Sequence, residues 1–177
     1  MDEAATRNRA WADAMLRRRT EELARKPDEA AGVAAGGAAA PSVALLVGHG
    51  ADGRYGVELR HLARIVPLPR VARVPGEAPE LLGLIAVDGR VMRLFDVDRL
   101  CGRTVVPAGG GFAAVLRGGR RPVALRLRAV ETVADREPGR FAPLPEAGPY
   151  VAAVTDDRIA VLNVEAILDR LGSTGEP

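Results

Sequence analysis

Leu81-Leu82-Gly83-Leu84-Ile85-Ala86-Val87-Asp88-Gly89-Arg90-Val91-Met92-Arg93-Leu94-Phe95-Asp96 is the stretch on which the fold turns. It holds two short apolar runs, Leu81 to Ala86 and Arg90 to Phe95, around Val87-Asp88-Gly89. Runs of this length suit strands, and Asp-Gly accepts the left-handed backbone that a tight hairpin turn demands. The segment therefore predicts a β-hairpin. Behind it, Asp96 to Leu100 reads as a short helical turn closed by Gly102.

The same grammar extends in both directions. Upstream, Val43 to Val47 predicts a buried strand, and residues 48–53 (Gly-His-Gly-Ala-Asp-Gly) a turn into a strand from Arg54 to Leu59. Leu62 to Val66 continue the chain until Pro67, Pro69 and Pro75 force an extended loop. Downstream of the loop Pro107 to Gly111, Phe112 to Leu116 and Val123 to Val130 form another predicted hairpin around Gly118-Gly119. Val123, Leu125 and Leu127 alternate there with Ala124, Arg126 and Arg128, which predicts one buried and one wetted face. Tyr150 to Thr155 and Ile159 to Val164 flank a polar turn at Asp156-Asp157, and Glu165 to Leu171 predicts a short helix. Each half thus reads hairpin, Pro-rich loop, hairpin, helical turn. Two similar small barrels in a mainly β chain follow.

Ahead of this body, Arg7 to Lys26 predicts an amphipathic helix, with Ala12, Leu16 and Leu23 on one face beside Trp11 and Met15, stopped by Pro27. Residues 28–41, almost all Ala and Gly, predict a linker. The expected organisation is a helix over 1–27, the linker over 28–41, the double-barrel domain over 42–172 and a tail over 173–177.

Composition narrows the function. An apolar fraction of 47% with 27% charged residues provides a core, while 3% aromatics means Val, Leu, Ile and Ala must build it. Net charge is +2 over 25 basic and 23 acidic residues, and the aromatics needed to stack bases are too few, so nucleic acid is not the expected partner. Cys101 stands alone, which rules out an internal disulfide or a multi-cysteine metal site and fits a reducing cytoplasm. No apolar run is long enough for a membrane span, and the N-terminal residues lack a signal pattern, so a cytoplasmic protein without direct membrane insertion is expected. His49 and His61 lack neighbours at ligand spacing and read as turn residues; Cys101 reads as a small hydrophobe. Gly109-Gly110-Gly111 lacks the Lys-Ser/Thr of a phosphate loop. With no nucleophile, base and orienting group assembled, the chain is expected to be no enzyme, to need no cofactor or metal, and to act by binding proteins.

The run Leu82 to Val97 resembles the signature of the chemotaxis coupling-protein (CheW-like) family, a Gly-apolar-Ile-Asn-apolar-Arg-Gly run followed by an apolar strand ending in Asp-Leu. Tyr55 to Leu59, Leu62, Ile65 and Val74-Pro75-Gly76 fall in order before it, and Val123 to Val133, Tyr150 to Ala153 and Ile159 to Leu171 after it. The resemblance spans about Ser42 to Gly172. It implies two intertwined five-stranded barrels and a scaffold that links a methyl-accepting chemoreceptor tip to a CheA-type histidine kinase. It places Leu62 and Gly83 near the kinase surface, and Arg64, Leu84, Asp88, Val91 and Leu94 around a groove for the receptor. Departures bear on those partners. Where the family has Arg before the hairpin glycine, this chain has Asp88; its Asn is Ala86; the Asp-Arg of its second barrel is Arg128-Ala129. The family's Glu, partner of that Arg, is Arg64 here. Two readings of the switched signs follow, a reversed Arg64–Asp88 ion pair or unrelated drift of two surface residues; for function there is an alternative in which a divergent member serves changed partners in a non-motility pathway.

Overall fold

A computed structural model describes residues 42–51, 53–74, 78–103, 109–137 and 141–173. The helix and linker predicted over 1–41 lie outside the described residues, as does the predicted tail from 174 onward. Eleven strands and two α-helices are described: β1 Val43–His49, β2 Arg54–Glu58, β3 Leu62–Pro67, β4 Leu81–Val87, β5 Arg90–Asp96, α1 Val97–Leu100, β6 Phe112–Leu116, β7 Val123–Leu127, β8 Ala129–Arg136, β9 Phe141–Ala142, β10 Val151–Thr155, β11 Ile159–Leu162 and α2 Val164–Ser173.

The deciding hairpin forms as the sequence predicts. β4 and β5 pair antiparallel from Val87↔Arg90 back to Leu81↔Phe95. Asp88 and Gly89 both take positive φ, 49° and 73°, which suits the mirror-image turn whose twist matches that of the strands. Asp96 ends β5 and caps α1: its carboxylate accepts from the backbone N–H of Asp98 and Arg99. Asn163 does the same for α2, accepting from Ala166 N–H at 3.0 Å.

The strands gather into two sheets, β8-β1-β2-β11-β10-β9 and β3-β6-β7-β5-β4. Neither sheet belongs to one half of the sequence. The first takes the β1–β2 hairpin from the N-terminal half and β8, β10 and β11 from the C-terminal half. The second takes the β6–β7 hairpin from the C-terminal half and β3, β4 and β5 from the N-terminal half. The predicted repeat of hairpin, loop, hairpin and helical turn is therefore real in order, but each half does not close a barrel of its own. Each sheet includes one parallel pair, β2 with β11 and β5 with β7, where hairpins from opposite halves meet. The expectation of five strands per barrel holds for the second sheet; the first gains the two-residue β9, paired with β10.

The exchange happens within very few residues. β2 ends at Glu58 in the first sheet, and after a 3-10 turn over Leu59–His61, β3 starts at Leu62 in the second. β7 ends at Leu127 in the second sheet, and after Arg128 alone, β8 starts at Ala129 in the first. This corrects the single strand expected over Val123 to Val130. It also corrects the wetted face: Val123–Leu127 is buried throughout, Arg126 included.

Among the described residues, an apolar cluster packs in each sheet. Ile85, Val87, Met92, Leu94, Ala113, Val115 and Ala124 pack in the second, and Leu45, Val47, Ile159 and Val161 in the first. Fully burying such a side chain stabilises by roughly 1.5–3 kcal/mol. The Val, Leu, Ile and Ala expected to build the core do so, with Tyr55 its largest fully buried side chain.

Candidate partner-binding face

β4 and β5 present opposite faces to core and solvent. Ile85, Val87, Met92 and Leu94 point inward and are buried. Leu84 and Ala86 on β4, and their cross-strand partners Arg93 and Val91 on β5, face the other way. Val91 is 61% exposed, more than any other large hydrophobic residue described. Arg93 backs this face rather than extending freely: its guanidinium lies 5.5 Å from the Phe95 ring centre and donates to the Leu171 carbonyl of α2. A half-buried leucine, an exposed alanine and an exposed valine thus form a small apolar strip.

The strip is flanked by charge. Arg64 on β3 donates to the Asp88 carboxylate at the tip of the β4–β5 turn. β3 and β4 are the opposite ends of the second sheet, so this pair spans its two edges. Both side chains are at least half exposed, and an exposed pair of this kind contributes about 0–1 kcal/mol. Of the two readings of the switched signs, the reversed ion pair is the one formed.

The remaining residues named from the sequence sit behind this surface. Leu94 is fully buried and Leu62 nearly so. Gly83 pairs with Leu94, has φ of 142°, and faces the Ala72 carbonyl so closely that a Cβ would collide with it. Ala72 and Leu84 exchange backbone hydrogen bonds of 2.8 Å, which covers the β4 edge. Arg64, Leu84, Asp88 and Val91 therefore lie together on the surface; Leu62, Gly83 and Leu94 do not reach it with a side chain.

Sequence reasoning missed four polar arrangements that hold the frame. Asp98, almost wholly buried, accepts from the Tyr55 hydroxyl at 2.9 Å and the Ala51 N–H at 2.7 Å, locking the β1–β2 turn to α1. Burial, reinforced by the Asp98 carboxylate, raises the Tyr55 hydroxyl above the usual phenol range. Arg126 donates to Asp96 at 3.2 Å and to the Gly110 carbonyl, forming a buried ion pair between β7 and the cap of α1. On the first sheet, Arg136 at the end of β8 meets Asp157 of the β10–β11 turn at 2.9 Å. Hydrogen bonds from Thr155 and Arg136 hold Asp157 below the usual carboxylate range. Glu131 is likewise lowered, chiefly by Arg54, which donates to both its oxygens, with His49 adding a contact at 2.9 Å. The Asp before a four-residue helix was the one signal for Asp96; an arginine in alternating register pointed the wrong way for Arg126.

No described set of His, Cys, Asp and Glu side chains could hold a metal ion. Cys101 is partly buried, and burial pushes its thiol up to about 11. No helix among the described residues is long and apolar enough to cross a membrane.

A model of the CheW-like domain matches residues 44–172. The chain belongs to the CheW-like domain family. At family level it is a chemotaxis coupling adaptor, a class of non-catalytic scaffold. The crystal structure of the scaffolding protein TtCheW from Thermoanaerobacter tengcongensis has the same fold: TM-score 0.61 at 18% identity, covering 70% of this chain and 90% of that one. No curated protein sequence matches the chain.

Proposed function

We propose that this CheW-like chain is a cytoplasmic adaptor in a chemosensory array, joining a CheA-type histidine kinase to the tip of a methyl-accepting chemoreceptor. The observation that carries this reading is the Leu84–Ala86–Val91 strip beside the Arg64–Asp88 pair. An apolar strip with a charged flank suits one face of an amphipathic partner helix. In this reading Arg64, Leu84, Asp88 and Val91 touch the receptor. Leu94 supports that face from inside. Leu62 and Gly83 shape the kinase-facing edge through backbone position, not side-chain contact.

Binding measured by calorimetry with the cognate kinase regulatory domain and a receptor-tip fragment tests this. Val91→Asp should weaken receptor binding at least tenfold, about 1.4 kcal/mol, with kinase binding and thermal unfolding little changed. Absence of binding to both partners sinks the proposal. The reversed signs at Arg64 and Asp88 favour one variant of it, in which the receptor carries a charge pattern matched to this pair. A receptor from a pathway that controls something other than motility would then bind, while a receptor with the common pattern would not.

A further inference from the structure

The outer strands of the two sheets are guarded in different ways. β8 carries Glu131, Asp135 and Arg136, β3 carries Arg64 and ends in Pro67, and β9 is two residues long. Charge, proline and shortness each discourage an outer strand from pairing with another chain. β4 has none of these. Leu81–Val87 is seven residues long and holds neither a charged residue nor a proline.

What β4 has instead is a cover. Beyond Pro67 the chain leaves β3, and Leu68 donates its backbone N–H to the Gly111 carbonyl at 2.9 Å. Further on, Ala72 exchanges its two hydrogen bonds of 2.8 Å with Leu84, a bridge one residue pair long. The strap over residues 68–74 is two-sided. Leu68 and Val71 pack, partly buried, against the core cluster of the second sheet, and Val71 lies over Gly83. Arg70, Ala72 and Arg73 face solvent. On its other side β4 is paired with β5 along nearly its whole length. Few backbone bonds and little buried apolar surface mark the segments of a fold that open locally, well below the free energy of global unfolding.

We propose that residues 68–74 are a detachable cover, which opens while both sheets stay folded and which, when closed, keeps β4 from pairing with a strand of another chain. Opening frees the N–H and the carbonyl of Leu84 at the edge of an uncharged strand. Ala86, two residues on, points its backbone groups the same way. The device is independent of the adaptor reading and is tested without kinase or receptor.

Amide hydrogen exchange of the purified full-length chain, at increasing but sub-denaturing urea, reads the opening. The Ala72 and Leu84 amides should exchange with little dependence on urea, while those of the buried Leu45, Val57 and Leu125 follow the steep dependence of global unfolding. Val71→Asp removes the apolar anchor and should speed exchange at Ala72 and Leu84 by at least about tenfold, with the core amides unchanged. Val71→Ala should show the same pattern to a smaller extent, and serves if the charged variant does not fold. Light scattering reads the guard. The Val71 variant should associate more readily than the wild-type chain as concentration rises, and Ala86→Lys added to it should abolish the difference by placing a charge on the bared strand. Exchange at Leu84 that tracks the core amides, a Val71 variant that loosens every amide alike, or association that Ala86→Lys leaves untouched overturns the proposal. So does a Val71 variant with fast exchange at Leu84 that associates no more than the wild-type chain.

Discussion

Gly83 shows how one residue sets the candidate face from behind. Its backbone is in a region that L-residues rarely adopt, and the Ala72 carbonyl occupies the space of a side chain. Gly83→Ala should cost about 1–3 kcal/mol from backbone strain alone, with the collision adding to it. The urea midpoint should fall accordingly, and the Ala72–Leu84 bridge should lose amide-exchange protection. Cys101 makes a second test at this scale. Its thiol is raised to about 11 from an ordinary value near 9. The folded state therefore favours the protonated form: its contribution to stability is complete below about 9 and is lost as pH rises toward 11. Native protein should alkylate far more slowly than urea-unfolded protein at pH 8, the gap closing only well into the alkaline range. Equal rates at pH 8 would contradict the burial of this thiol.

At the scale of elements, two Arg–Asp pairs of the second sheet should behave very differently. Arg64 and Asp88 join the outer strands through exposed side chains, so Arg64→Asp, Asp88→Arg and the double exchange should each change stability by no more than about 1 kcal/mol. Receptor affinity, not melting temperature, should separate the single variants from the exchange. Arg126 and Asp96 are buried, and Arg126→Met leaves the carboxylate at the cap of α1 with its backbone N–H donors but without its counter-charge; a loss of about 3–5 kcal/mol in denaturant unfolding is expected. The sequence distinguished these pairs poorly, for a physical reason. Arg64–Asp88 was legible because the two positions reverse the signs of a Glu and an Arg that pair in the family the chain resembles. Arg126 stood in strict alternation with Val123, Leu125 and Leu127, which implies solvent when only one neighbouring layer exists. In this fold β7 is covered on both faces, and alternation no longer reports exposure. The hairpin turns, by contrast, were readable, because Asp88-Gly89 and Gly118-Gly119 fix them by backbone conformation, a local property.

For the molecule as a whole, what escaped the sequence was which strands pair. Hairpin order is local, but the exchange of β3 and β8 between sheets depends on contacts distant along the chain. Residues 42–103 and 109–173, made as separate polypeptides, each hold only part of either sheet. Neither should fold alone, and mixing them should restore β-sheet circular dichroism and the melting transition. Folding of either piece by itself would show that the barrels do not depend on the exchange. The same crossover has a mechanical side. With only Arg128 between β7 and β8, and a single 3-10 turn between β2 and β3, the two barrels are riveted at two points by backbone that has almost no slack. Backbone this short leaves no room for a hinge, so a load applied to one barrel passes straight into the other and the two should respond to it as one stiff body.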